Sequence, residues 1–111
     1  MSRIALVRRP SPRLAEGLVS HIDRVPVDVG LALRQWDGHV AALRDAGWDI
    51  VEVEPAPECP DSVFIEDTIV VYRDTAVIAR PGADERRAEI PAAAAAVAAL
   101  GYRVVPIDAP G

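Results

Sequence analysis

Two stretches of this 111-residue chain, AALRDAGWDIVEVEPAP at 41–57 and AALGYRVVPIDAP at 98–110, follow one plan. Each runs Ala-Ala-Leu, then Gly, an aromatic residue, an alternating strand, an acid and Ala-Pro. Gly47 and Gly101 lie 54 positions apart, each where a helical pattern gives way to a strand pattern. Glycine at that place is a natural helix stop. A strand–helix–strand unit used twice constrains architecture more than any local propensity. The alternative is that helix–Gly–strand junctions converge on similar residues. If the repeat is real, the chain holds about two units, where repeat architectures usually need at least about three to bury a continuous core. The turn-like Asp108-Ala-Pro-Gly ending points the same way, so a further portion of the fold is expected.

The remaining elements fit around this repeat. RIALVR at 3–8 reads as a first strand that stops before Pro10. SPRLAEGLVSHI suggests a short helix with Ser11 as N-cap and Pro12 in the first turn. A helix is expected over about residues 31–46, where Leu33, Trp36, Val40 and Leu43 recur at helical spacing. WDIVEVE alternates as a strand. Two strands are expected over 63–72 and 75–80, joined across Arg73–Asp74. A second helix is expected over about residues 85–100, with Pro91 forcing a kink or a late start. YRVVPI is the last strand.

Composition excludes several functions. Half the residues are hydrophobic, 26% are charged, and the net charge is −5. This describes a soluble, globular chain with one modest core, and the alternation of strand and helix patterns makes it α/β. All 12 basic residues are Arg. An acidic chain with scattered Arg lacks the basic face that nucleic acid needs, yet single Arg residues suit a small carboxylate. The longest apolar run, AAAAAVAAL, is too short to span a bilayer, and the N-terminus lacks a signal-peptide pattern. Cys59 is the only cysteine, which fits a reducing compartment; a cytoplasmic location is expected. No His/Cys cluster has metal-ligand spacing and no Gly-rich phosphate loop occurs, so neither metal nor cofactor is expected. Acidic neighbours make Cys59 a poor nucleophile.

PDSVFIEDTIVVY at 60–72 holds the chemistry. Glu66 and Asp67 are adjacent within an otherwise strand-like run. In a regular strand they would point to opposite faces, and one carboxylate would meet the apolar layer at a cost of about several kcal/mol. Three escapes exist: an edge strand with an inward charge, a bulge that turns both acids one way, or a cationic ligand. On chemistry alone, an edge charge or a local Arg pair outweighs the ligand. Arg86 and Arg87 follow a Gly turn beside Asp84, Glu85 and Glu89, where solvent-exposed ion pairs are the plain expectation. The competing reading is that one Arg reaches a ligand carboxylate. Acids and arginines without a convincing nucleophile describe a half-site for an amino acid with a basic side chain.

The runs PDSVFIEDT and TAVIARPGADERR, with ALVR, VPVDVGLALRQWDGHVAALRDAGW and VEVEPAPECPDS, resemble the dimethylarginine dimethylaminohydrolase family of the pentein superfamily. The resemblance covers nearly the whole chain. It implies a five-bladed α/β propeller of ββαβ modules, and five units of the observed length would make roughly 270 residues. Residues 1–111 would then be the N-terminal part of a single amidinotransferase-like pentein domain, with about two modules present. The implied reaction hydrolyses asymmetric dimethylarginine or monomethylarginine to citrulline plus dimethylamine or methylamine. A Cys thiolate attacks the guanidinium carbon to give a thiouronium, and a His moves protons.

By the same resemblance Asp67 binds the guanidinium and Glu66 lines the site. Asp61 and Phe64 contact the substrate body and amino end, and Arg86 grips the carboxylate. Leu18 matches an apolar lid residue, with Val19 as the alternative register. The family's nucleophilic Cys and catalytic His lie in later blades, and His21, His39 and Cys59 match neither. The 111 residues alone are therefore expected to be inactive. The partner implied is a small-molecule methylated arginine, with neither nucleic acid nor membrane. Exposed edges of an incomplete propeller would also favour further copies or a complementing chain. Arginine deiminase-type chemistry is the nearest alternative, and a non-catalytic αβ module that assembles with another chain is the other.

Overall fold

The computed structural model describes residues 3–17 and 26–110. Leu18, Val19 and His21 lie outside the described residues. The chain forms two compact units, Met1–Val63 and Phe64–Gly111.

In the first unit, β1 (Ile4–Arg8) runs parallel to β2 (Asp49–Val53), with Ile4 opposite Asp49 and Arg8 opposite Val53. Parallel neighbours need a crossover, supplied by α1 (Val29–Asp45). This helix starts two residues before the expected Leu31. Asp28 is the reason: its Oδ1 accepts a hydrogen bond from Leu31 N at 3.0 Å, which satisfies one of the first-turn amides. Val7, Val40 and Val53 are buried. The short helix expected after Ser11 is a single 3-10 turn, Leu14–Glu16. Ser11 still acts at its start, since its carbonyl accepts from Leu14 N and its Oγ from Arg13 N, both at 3.0 Å.

In the second unit, β3 (Ile69–Tyr72) and β4 (Thr75–Ile78) form an antiparallel hairpin. The chain then passes through α2 (Ile90–Ala99) into β5 (Arg103–Pro106), which lies parallel to β4. The sheet order is β3-β4-β5, so the unit is one ββαβ module. Its buried centre contains Ala76 and Ile78 from β4 and Ala93 and Val97 from α2. The small alanines let helix and sheet approach closely.

Two strand expectations need correction here, and the alternatives left open at Pro91 resolve to a late start. The strand expected over 63–72 begins only at Ile69, because Ile65–Asp67 forms a 3-10 turn. The strand expected over 75–80 ends at Ile78. The second helix starts late: Asp84–Glu89 is 3-10, and the α-helix begins at Ile90 with Pro91 in its first turn. Proline is tolerated there because a first-turn amide has no intrahelical acceptor to lose.

The two glycine junctions match bond for bond. Gly47 and Gly101 have φ of 95° and 90°. Trp48 N donates to Leu43 O at 3.0 Å, and Tyr102 N to Val97 O at 3.2 Å. Each is the 6→1 bond of a Schellman motif, completed by the glycine's own amide, which donates to Arg44 O at 2.9 Å and to Ala98 O at 3.0 Å. The following residue then opens a parallel strand, as Asp49 N donates to Arg3 O at 2.7 Å and Arg103 N to Asp74 O at 2.8 Å. Gly101→Ala is expected to cost about 1–2 kcal/mol, the ordinary penalty for a Cβ at left-handed φ. A lower urea midpoint with an unchanged slope would show it.

Candidate functional site

The adjacent acids lie on a turn, where neither has to enter the core. Asp67 N donates to Phe64 O at 3.1 Å, and Thr68 N to Ile65 O at 2.9 Å. Thr68 is buried, and its Oγ1 donates to Ile65 O at 2.6 Å. The threonine thus ties the turn to the start of β3, while Glu66 and Asp67 remain exposed. The turn resolves what a regular strand could not.

Arg86 arrives from the 3-10 segment before α2. Its Nη1 donates to Asp67 Oδ2 at 2.8 Å, and its Nη2 to Phe64 O at 3.3 Å. Its Nε and Nη2 donate to the two oxygens of Glu89, each at 2.9 Å. Of these side chains, Glu89 is 1% exposed, Arg86 16% and Asp67 54%. The result is a charge sequence that runs from a buried acid through a mostly buried cation to an exposed acid. The Arg86 guanidinium is held well above its usual pKa, chiefly by its hydrogen bonds to Glu89. Desolvation opposes this, and Asp67 adds to it. Arg86 therefore keeps its charge at any physiological pH. Glu89 itself sits at the N-terminal end of α2, where the helix dipole favours a negative charge.

Arg87 behaves differently. It pairs with Asp84 at 2.7 Å, and that Asp side chain is 83% exposed. Solvent-exposed ion pairing, expected for both arginines, describes Arg87 alone. Sequence reasoning misses the role of Glu89, which it names only as one of three acids beside the two arginines. Its i,i+3 spacing from Arg86 was the available signal.

The six candidates do not all fall together. Phe64, Asp67 and Arg86 share one hydrogen-bonded cluster in the second unit. Glu66 lies on the same turn with its side chain exposed. Leu18 is outside the described residues. Asp61 belongs to the first unit and is buried against Gly17. A Cβ on Gly17 would overlap the Asp61 carboxylate and crowd Leu14 O at 3.2 Å. Gly17→Ala is therefore expected to displace Asp61 and to cost about 1–3 kcal/mol, as overpacking does; thermal unfolding measures the loss. Cys59 is buried, which agrees with a structural thiol. Among the described residues no His, Cys, Asp and Glu group could hold a metal ion, and no helix is long and apolar enough to cross a membrane.

No family model matches the chain. Over 110 residues, 99% of its length, it is 59% identical to N(G),N(G)-dimethylarginine dimethylaminohydrolase of Streptomyces coelicolor and spans 43% of that protein. It belongs to the dimethylarginine dimethylaminohydrolase family, over that family's N-terminal portion. The dimethylarginine dimethylaminohydrolase of Pseudomonas aeruginosa is 37% identical over 90 residues, 80% of this chain and 35% of that one. A solved structure of a Pseudomonas aeruginosa variant complexed with citrulline superposes with a TM-score of 0.90 at 34% identity. It covers 100% of this chain and 44% of that structure. The chain thus spans less than half the length of these dimethylarginine dimethylaminohydrolases. Its architecture is a partial pentein α/β fold.

Proposed function

We propose that this chain supplies substrate-binding residues to a hydrolase of N-omega-methylated arginines, which yields citrulline and dimethylamine or methylamine. The observation that carries this reading is the Asp67–Arg86 pair, 2.8 Å apart, with Asp67 half open to solvent. A methylarginine carries a cation at one end and a carboxylate at the other. Asp67 suits the guanidinium and Arg86 suits the carboxylate, so binding exchanges one protein ion pair for two with the ligand. Glu66 lines the site from the same turn. Phe64 and Asp61 contact the substrate body and amino end, with Leu18 as the apolar lid. This accords with the name of the Streptomyces coelicolor relative and with citrulline in the Pseudomonas aeruginosa structure.

The chemistry needs more than these residues. A thiolate nucleophile and a proton-transferring His are required, and Cys59 is buried while His39 is exposed on α1. The 111 residues alone are expected to be inactive, as one part of a single pentein domain. The test is to supply asymmetric dimethylarginine, monomethylarginine and arginine separately to the full-length protein and to this chain, and to measure citrulline. Citrulline from the methylated substrates with the full-length protein alone supports the proposal. Turnover of arginine in preference to both would move the assignment to deiminase-type chemistry.

A further inference from the structure

Glu89 is the most deeply buried acid of the chain's described residues, and the proposed chemistry gives it no task. Both of its oxygens accept from one edge of the Arg86 guanidinium, Oε2 from Nε and Oε1 from Nη2, each at 2.9 Å. A two-point contact fixes both the position and the plane of the fork, which a single contact would leave free to turn. The opposite end of the fork, Nη1, then lies 2.8 Å from exposed Asp67. The backbone adds a further constraint, since Phe64 O receives Nη2 at 3.3 Å. An arginine side chain has several rotatable bonds, and holding it in one geometry in advance lowers the entropy cost of ligand capture.

We infer that Glu89 is a positioning residue, which acts through Arg86 to hold the guanidinium where it receives the α-carboxylate of the substrate. This rests on the proposed function above. Glu89 touches no substrate, and its effect passes wholly through the orientation of Arg86. Glu89→Gln keeps the shape of the side chain, but replaces one acceptor oxygen with a donor that opposes the arginine N–H.

The experiment compares two substrates in the full-length protein: asymmetric dimethylarginine, and the same dimethylguanidino chain lacking its α-carboxylate. The ratio of their kcat/KM values does not depend on how much enzyme is folded. Arg86→Ala is expected to lower this ratio by about 100-fold, and Glu89→Gln by about tenfold, mainly through KM. The double variant is expected to match Arg86→Ala, because a residue acting through Arg86 has nothing left to position. Arg86→Lys provides a route independent of any change at Glu89. It keeps the charge without the fork, and its ratio is expected to fall as well.

A wild-type ratio in Glu89→Gln beside a collapsed ratio in Arg86→Ala would overturn the positioning role and leave the proposed function standing. Full selectivity in Arg86→Lys would overturn it too, since charge alone would then suffice. An unchanged ratio in Arg86→Ala would instead remove the carboxylate assignment on which the inference rests.

Discussion

Asp67→Ala in the full-length protein is expected to lower citrulline formation by about 100- to 1,000-fold, the range for losing one preorganised electrostatic contact in an active site. The turn geometry explains why one carboxylate has so large an effect. Its backbone is fixed by the neighbouring Thr68, which is buried and whose Oγ1 ties back to Ile65 O at 2.6 Å. It is therefore an oriented charge whose ordering cost is met on folding. Asp67→Asn separates charge from shape: it keeps the outline of the turn and is expected to lose nearly as much activity. Near-normal citrulline production by Asp67→Ala would remove the guanidinium assignment.

The second large effect is on stability, and it separates two neighbouring residues. Arg86→Ala is expected to destabilise the fold by about 3 kcal/mol, because it strips two hydrogen bonds from a carboxylate held away from water. Arg87→Ala is expected to cost at most about 1 kcal/mol, since its acid partner is well hydrated. Urea titrations of both variants against the parent protein measure the contrast. Equal losses would mean that burial of Glu89 does not govern the Arg86 pair.

That contrast also shows where sequence reasoning reaches its limit. Arg86 and Arg87 are adjacent, and the same acids flank both. Nothing in local composition says which guanidinium turns inward, because that depends on which face of the 3-10 segment packs towards the module. The two helix-ending glycines were legible because left-handed φ has a strong residue preference. The strand–helix–strand order was legible from periodicity. The turn at Ile65–Asp67 was not, since Phe64, Ile65, Ile69 and Val70 are all good strand formers. The conflict between those apolar residues and the paired acids was the visible clue, and the chain settles it by delaying the strand. The local Arg pair, weighed as a plain escape from the buried charge, is the contact that Asp67 makes. Glu89 is the reverse case: a charged residue named only as a neighbour of the two arginines lies at the base of the cluster.

The two-residue connection Arg73–Asp74 fixes how far β3 can slide along β4. Ala79 N donates to Thr68 O at 2.8 Å, one step beyond the Ile69–Ile78 pair. Asp67 therefore inherits its height above the sheet from a hairpin tip at the far end of the strand. Adding or removing one residue at that tip would move the carboxylate by about 3.4 Å, the rise of one strand residue, and would turn the side chains of β3 to the opposite face. Arg73 has φ of 55°, a conformation that glycine or asparagine adopts more readily. The tip can thus change its residues while its length stays fixed. In any reshaping of this protein, an insertion there would break the Asp67–Arg86 contact by displacing Asp67, although no residue of the site had been substituted.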